Sequence, residues 1–296
     1  MDLSTLSDSS LLKEIDRRFK EKQSSIEEME FLTKKLLELN EKSKKAQEVK
    51  SQFLSLVKNE FNNPVSSLLN VADMLKKAND LEKVHIMGDL LKRDLLKMDF
   101  SLKNIFAASE IEAGETANDY NYIDLQELFN ELKEYFEIII KDKNLTVDFN
   151  SSCEKDFISD TYKIYLILLN LLSNACEFSF PDTNISVDFS CDDESFVLNV
   201  KNVGEVIKPN HTKEIYNRFV HFESGTTRQS AGLGLGLSVS LGMCEALDGT
   251  IGNETKDGLT EFIVKIPILS SENLALSQAH GSNEFMFDLN DEMVEF

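Results

Sequence analysis

The first 63 residues contain neither glycine nor proline. With both breakers missing, a segment of that length can run as one unbroken helix from about Leu11. Its apolar positions are Leu12, Ile15, Phe19, Ile26, Met29, Leu32, Leu36 and Leu39, spaced 3, 4, 7, 3, 3, 4 and 3. That is a heptad seam with one phase slip near Met29. The seam fits either a parallel dimeric coiled coil or an amphipathic helix lying on its own domain, and the densely charged flanks favour the coiled coil. Pro64 is expected to kink the helix.

A second helix is legible in Val84, Met87, Leu91, Leu95, Met98, Leu102 and Ile105, spaced 3, 4, 4, 3, 4 and 3. The short polar stretch Lys76-Lys77-Ala78-Asn79-Asp80 separates it from the first, which predicts an antiparallel hairpin. A hairpin cannot cover so wide an apolar stripe by itself, so a second copy completing a four-helix bundle is expected.

Beyond Ala113-Gly114 the pattern changes. Helices are expected over 123–140, 161–176 and 237–247, the second capped by Ser159 or Asp160. Strands are expected over 145–149, 185–189, 196–200, 250–251 and 262–266. Nine of the twelve glycines fall between Gly204 and Gly258, marking one backbone-exposing region in an α+β domain. The boundaries read as 1–44 for the coiled-coil helix, 45–113 for the hairpin, 120–268 for the α/β-sandwich domain and 269–296 for an acidic tail. Residues 271–296 hold six acids and no Lys or Arg, the composition of a disordered tail or of a short docking segment around Phe285-Met286-Phe287.

The net charge of −21 argues against nucleic acid or an anionic membrane as main partner, since both are bound through clustered Lys and Arg. No apolar run approaches the ~20 residues of a membrane span, and the N-terminus lacks the apolar core of a signal peptide. The four cysteines, Cys153, Cys176, Cys191 and Cys244, form no CxxC pair, which predicts reduced thiols and a cytoplasmic protein.

Two boxes carry chemistry. Asn170 and Asn174 share one face of an otherwise apolar helix. Buried amides left unpaired cost about 1–3 kcal/mol each, so they call for a partner, and a hard cation with phosphate oxygens would serve. The second box is Gly232-Leu233-Gly234-Leu235-Gly236, opening the helix from Leu237. Alternating glycines let backbone N–H groups approach a phosphate at a helix N-terminus. A lone GxGxG could equally be a flexible loop. Here it follows Asn202-Val203-Gly204 and Phe219 and precedes Thr260, and that order is more specific than any single member.

With this series in place, residues 122–268 resemble the catalytic ATP-binding domain of sensor histidine kinases, a fold shared with DNA gyrase. Residues 45–110 resemble their dimerisation and phosphotransfer hairpin, so the likeness covers about three quarters of the chain. The resemblance implies ATP and Mg²⁺ as cofactors. Asn170 and Asn174 match its N box, with Asn174 the implied Mg²⁺ ligand. Asn202 and Gly204 match its first glycine box, Phe219 its F box, Gly232, Gly234 and Gly236 its second glycine box, and Thr260 its last motif. Arg228 is an implied charge partner near the triphosphate.

The chain also departs from the family. Asn59 stands at the phosphoacceptor position, where an amide lacks a nucleophilic lone pair comparable to imidazole's. Asn202 replaces the aspartate that holds the adenine amino group, though its carbonyl can still accept that bond. Val206 stands where a second glycine is frequent, and Glu177 where a lysine is frequent. Glu60 through Asn63 fits the ExxN pattern that supports dephosphorylation of a response regulator, although Asn62-Asn63-Pro64 could simply mark a kink. The expected protein is a cytoplasmic, homodimeric histidine-kinase homologue acting on a response-regulator receiver in a phosphorelay. It would not phosphorylate itself at Asn59, natural or engineered, and would act as a phosphatase or as a transferase toward a heterodimeric partner. The alternative is a pseudokinase scaffold whose nucleotide state controls partner binding. Binding to nucleic acid and insertion into a membrane are not expected.

Overall fold

The computed structural model describes residues 8–77, 80–153, 157–192, 194–208, 211–219, 233–256 and 258–269. Within the first helix, the side chains of residues 8–11, 42, 45–46, 48–50, 52–53, 56 and 59–60 lie outside the description, as does the whole acidic tail. The chain divides into two units, residues 1–59 and 60–296.

Helix α1 (Asp8–Leu75) is continuous through Pro64. In the first unit, Glu14 bridges Arg17 and Arg18, each at 2.8 Å, and Lys20 pairs with Asp16 at 2.8 Å. Such exposed one-turn pairs support a helix that has little else to hold it. Every residue of the apolar seam, from Leu12 to Leu39, is exposed in the single chain. Within the first unit, therefore, the described residues give the seam no cover.

In the second unit α1 turns into α2 (Leu81–Ala113). The Asp80 side chain caps α2 by accepting from the Glu82 N–H at 3.1 Å. Gly114 closes it in the left-handed region at φ 71°, a conformation that glycine adopts freely. Ser67 donates to Asp94 at 2.6 Å across the hairpin.

The C-terminal half of α2 packs on the α/β domain. Asn104, Ala107 and Ala108 are buried. A Cβ at Gly242 would lie 2.6 Å from the Ile111 side chain, so glycine there permits close approach of helix α5 (Gly236–Ala246). The Tyr135 hydroxyl on α3 (Leu125–Asp142) donates to the Leu96 carbonyl at 2.6 Å. The Lys103 ammonium lies 5.9 Å from each of the Tyr135 and Tyr165 rings.

The sheet has the order β2-β4-β5-β7-β6, comprising β2 (Thr146–Ser151), β4 (Asn184–Cys191), β5 (Ser195–Val203), β7 (Leu259–Pro267) and β6 (Thr250–Lys256). Only β2 and β4 run parallel. Two three-residue strands, β1 (Tyr120–Tyr122) and β3 (Ile158–Asp160), pair separately. Alternation sends Phe196, Leu198 and Val200 of β5 inward with Ile185, Val187 and Phe189 of β4. The strongly apolar helix α4 (Thr161–Phe178) is buried at every residue from Lys163 to Leu172. A helix apolar all round belongs at the centre of a layered fold.

Asp160 caps α4, accepting from the Lys163 N–H at 2.9 Å and pairing with the Lys163 ammonium at 2.6 Å. That ammonium also donates to the Ala117 carbonyl at 2.7 Å, and Asp160 accepts from the Asp119 N–H at 2.9 Å. The buried pair thus ties the segment after α2 to the start of α4.

Two expectations are corrected. Cys153 and Cys191 form a disulfide with a Cα–Cα distance of 4.9 Å, rather than remaining reduced thiols. The parallel register pairs Ser151 with Phe189, and two residues further on the cysteines stand opposite each other. The expected secondary structure also lacked β1 and β3, whose pairing partners are remote in sequence. Cys176 and Cys244 remain free and buried, and burial pushes each thiol up to about 12.

The bridge closes a loop of 38 residues around the whole of α4, a constraint of about 4 kcal/mol in the chain-entropy picture. Reduction should lower the melting temperature on the order of 10 °C, and Cys153→Ser should reproduce that loss and abolish any further response to reductant. A thiol titration of the unreduced, unfolded protein should count two thiols, whereas the native protein at neutral pH should react slowly. Lys163→Met, which leaves Asp160 buried without its cation, should cost about 3–5 kcal/mol in denaturant unfolding.

Candidate functional site

The site residues converge on the C-terminal half of α4. Asn170 is 1% exposed, and neither its Nδ2 nor its Oδ1 has a partner. Asn174, one turn on, is half-buried. The helix end is held by Lys143, whose ammonium donates to the carbonyls of Cys176 at 2.8 Å and Ser179 at 3.3 Å. Those are the acceptors that a helix C-terminus leaves unpaired. Nothing in the local sequence signals this cap, because its partners lie 33 and 36 residues away.

The first glycine box is locked to the same helix end. A Cβ on Gly204 would fall 2.0 Å from the Phe178 carbonyl oxygen. The Gly204 N–H donates to the Gly258 carbonyl at 3.1 Å, and the Glu205 N–H to Phe178 at 3.0 Å. Only glycine allows that approach. Asn202, two residues earlier on β5, faces inward, 4% exposed, with Nδ2 unpartnered. In register it lies opposite Thr260, also buried.

The second glycine box meets Asn170 from the other side. Leu233 and Leu235 are buried and anchor the loop, while Gly234 between them leaves the backbone open. Gly234 is left-handed at φ 63°. A Cβ on Gly236 would lie 2.9 Å from Asn170 Oδ1. Helix α5 starts there with no side-chain cap hydrogen bond, so its first N–H groups present partial positive charge. Phe219, held at φ 64°, donates its N–H to the Gly234 carbonyl at 2.9 Å. Arg218 reaches Glu112 of α2 at 3.1 Å.

The electrostatics are mostly neutral amides and hydroxyls. Glu177 is the exception: partial burial raises its carboxyl above the usual range, with Lys143 and Lys97 pulling the other way and Glu205 adding to the rise. Val206 is exposed.

The structure therefore brings together Asn170, Asn174, Asn202, Gly204, Phe219, Gly234, Gly236 and Thr260 from α4, β5, the intervening loop, α5 and β7. Gly232 and Arg228 lie outside the described residues. Asn59 and Glu60 are helical in backbone but their side chains are undescribed, and Asn63 is exposed on α1. Among the described residues no cluster of three or more His, Cys, Asp or Glu could hold a metal. The amide oxygens of Asn170 and Asn174 do suit a hard cation that keeps waters and phosphate ligands. An orphaned amide, a glycine cradle and an uncapped helix N-terminus together fit a nucleoside triphosphate with its metal.

Comparison with known proteins agrees. The family described as histidine kinase-, DNA gyrase B-, and HSP90-like ATPase matches residues 159–270. The hybrid signal transduction histidine kinase D of Dictyostelium discoideum is 26% identical over 264 residues, covering 85% of this chain and 17% of that protein. The autoinducer 2 sensor kinase/phosphatase LuxQ of Vibrio parahaemolyticus is 24% identical over 241 residues, covering 78% and 28%. The chain thus spans under a third of the length of these relatives. Among solved structures, full-length ShkA in complex with AMPPNP has a TM-score of 0.53 at 20% identity, covering 72% of this chain and 45% of that one. The Acinetobacter baumannii histidine kinase AdeS has a TM-score of 0.52 at 17% identity, covering 71% and 98%. The chain resembles two-component sensor histidine kinases, and its fold is theirs.

The unpaired amide of Asn170 predicts a conflict between stability and binding. Asn170→Leu should raise the ligand-free stability by about 1 kcal/mol, because an unsatisfied buried amide is removed. The same change should abolish measurable binding of an ATP analogue. Thermal unfolding with and without the analogue checks both.

Proposed function

We propose that this chain is the ATP-binding transmitter portion of a two-component signalling protein that does not phosphorylate itself at Asn59. The observation that carries the reading is the buried, unpartnered amide of Asn170 facing the glycine cradle at Gly236. In this reading ATP and Mg²⁺ are the cofactors, and ATP supplies the transferable phosphoryl group. Asn174, with Asn170, would hold the Mg²⁺. The backbone at Gly232, Gly234 and Gly236 would cradle phosphates with Arg228, Asn202 and Thr260 would meet the base, and Gly204 and Phe219 would shape the pocket wall. The exposed seam of α1 and the hairpin would close by homodimerisation, or by pairing with an active kinase. Because it uses ATP, the domain belongs in the cytoplasm. The Cys153–Cys191 bridge is at odds with a strongly reducing compartment.

The partner is a response-regulator receiver. Asn59 offers no nucleophile, so phosphate transfer through that position is lost. Asn63 is exposed on α1, where its amide could orient a water toward an aspartyl phosphate while Glu60 supports it. The similarity to LuxQ, named a sensor kinase/phosphatase, supports such dual activity. Asn59 equally favours a second reading, a pseudokinase scaffold whose nucleotide occupancy is read by a partner.

Two measurements separate these. Radiolabelled ATP should leave the wild-type chain unlabelled, whereas Asn59→His should acquire acid-labile, base-stable label. Addition of the wild type should shorten the lifetime of a phosphorylated receiver. An unchanged lifetime selects the scaffold, and label on the wild type defeats the proposal that Asn59 ends self-phosphorylation.

A further inference from the structure

Asn202, Thr260 and Thr255 form one inward row across β5, β7 and β6, with Ile185 of β4 on the far side of Asn202. No side chain in that row carries a charge. The Thr255 and Thr260 hydroxyls lie 3.4 Å apart and either can donate. Asn202 is 4% exposed and its Nδ2 has no partner. A carboxylate at this place could only accept, whereas an amide accepts through Oδ1 and donates through Nδ2. Rotating the amide about its last bond exchanges the two ends with little change of shape.

We infer that Asn202 makes the base subsite indifferent to the 6-position of a purine, so that 6-oxo nucleoside triphosphates bind alongside 6-amino ones. The inference rests on the nucleotide-binding reading of the site. A 6-amino group donates and meets Oδ1; a 6-oxo group accepts and meets Nδ2. The 6-oxo base gives Nδ2 the partner it lacks, the 6-amino base uses Oδ1 instead, and the threonine hydroxyls can reorient to follow either. A carboxylate would oppose a 6-oxo group, acceptor against acceptor, with its full charge desolvated. Sites built to bond one particular group reject an analogue lacking it by roughly 10⁴-fold, and Asn202 removes the basis for such rejection.

The test is displacement of trinitrophenyl-ATP fluorescence from the full chain in Mg²⁺ by ATP, ITP and GTP. ITP reports the 6-position without the 2-amino group that GTP adds. On the wild type, half-displacement by ITP should fall within about tenfold of ATP, and Asn202→Asp should raise the ITP-to-ATP ratio at least about tenfold. ITP more than about 100-fold weaker than ATP on the wild type overturns the inference and leaves the nucleotide site standing. Failure of both the probe and ATP to bind overturns the nucleotide reading, and the inference with it. The comparison of ATP with ITP needs no variant, so an Asn202→Asp protein that fails to fold does not remove the test.

Discussion

The candidate site in the α/β unit is arranged around a polar amide placed in a strongly apolar helix. Asn170 sits among residues of α4 that are buried without exception from Lys163 to Leu172, yet its own amide bonds to nothing. Leucine would serve packing better at that position. The cradle at Gly236 and the opening of α5 face it, and the far end of α4 is pinned to Gly204 and, through it, to the turn at Gly258. The cost of an unpaired buried amide is understandable where a ligand supplies the partner. Loss of stability at functional positions is the usual form of that trade.

A second consequence concerns the way α2 enters the domain. It is seated on α5 through Ile111 and Gly242, on α3 through Tyr135 and Leu96, and near the loop through Glu112 and Arg218. Helix α5 is the helix that opens at the glycine box. Helix α2 and the candidate site thus share packed contacts with one element, α5. Low-volume packing of this kind admits few intermediate arrangements.

These supports do not depend on the residue at position 59. Asn59 lies on a helix whose continuity through Pro64 is unbroken, and the residues that build the α/β site are untouched by it. The residues of the candidate site and residue 59 stand on separate elements of the fold, so either can be altered without rebuilding the other.

The sequence by itself determined the helices, the strands β4, β5 and β7, and which residues are candidates for the site. These follow from local periodicity, from breakers and caps such as Asp160, Asp80 and Gly114, and from an ordered set of short motifs. Chain neighbours decide all of them. Tertiary structure decided the rest. The parallel register of β2 on β4 brought Cys153 to Cys191, the remote pairing of β1 with β3 created a second small sheet, and Lys143 found the end of α4 across more than 30 residues. It also showed that the Asn170 amide and the Asn202 Nδ2 lack partners, since whether an amide has a partner depends on what the fold packs against it. Periodicity can put a residue on a face; only packing decides what that face meets.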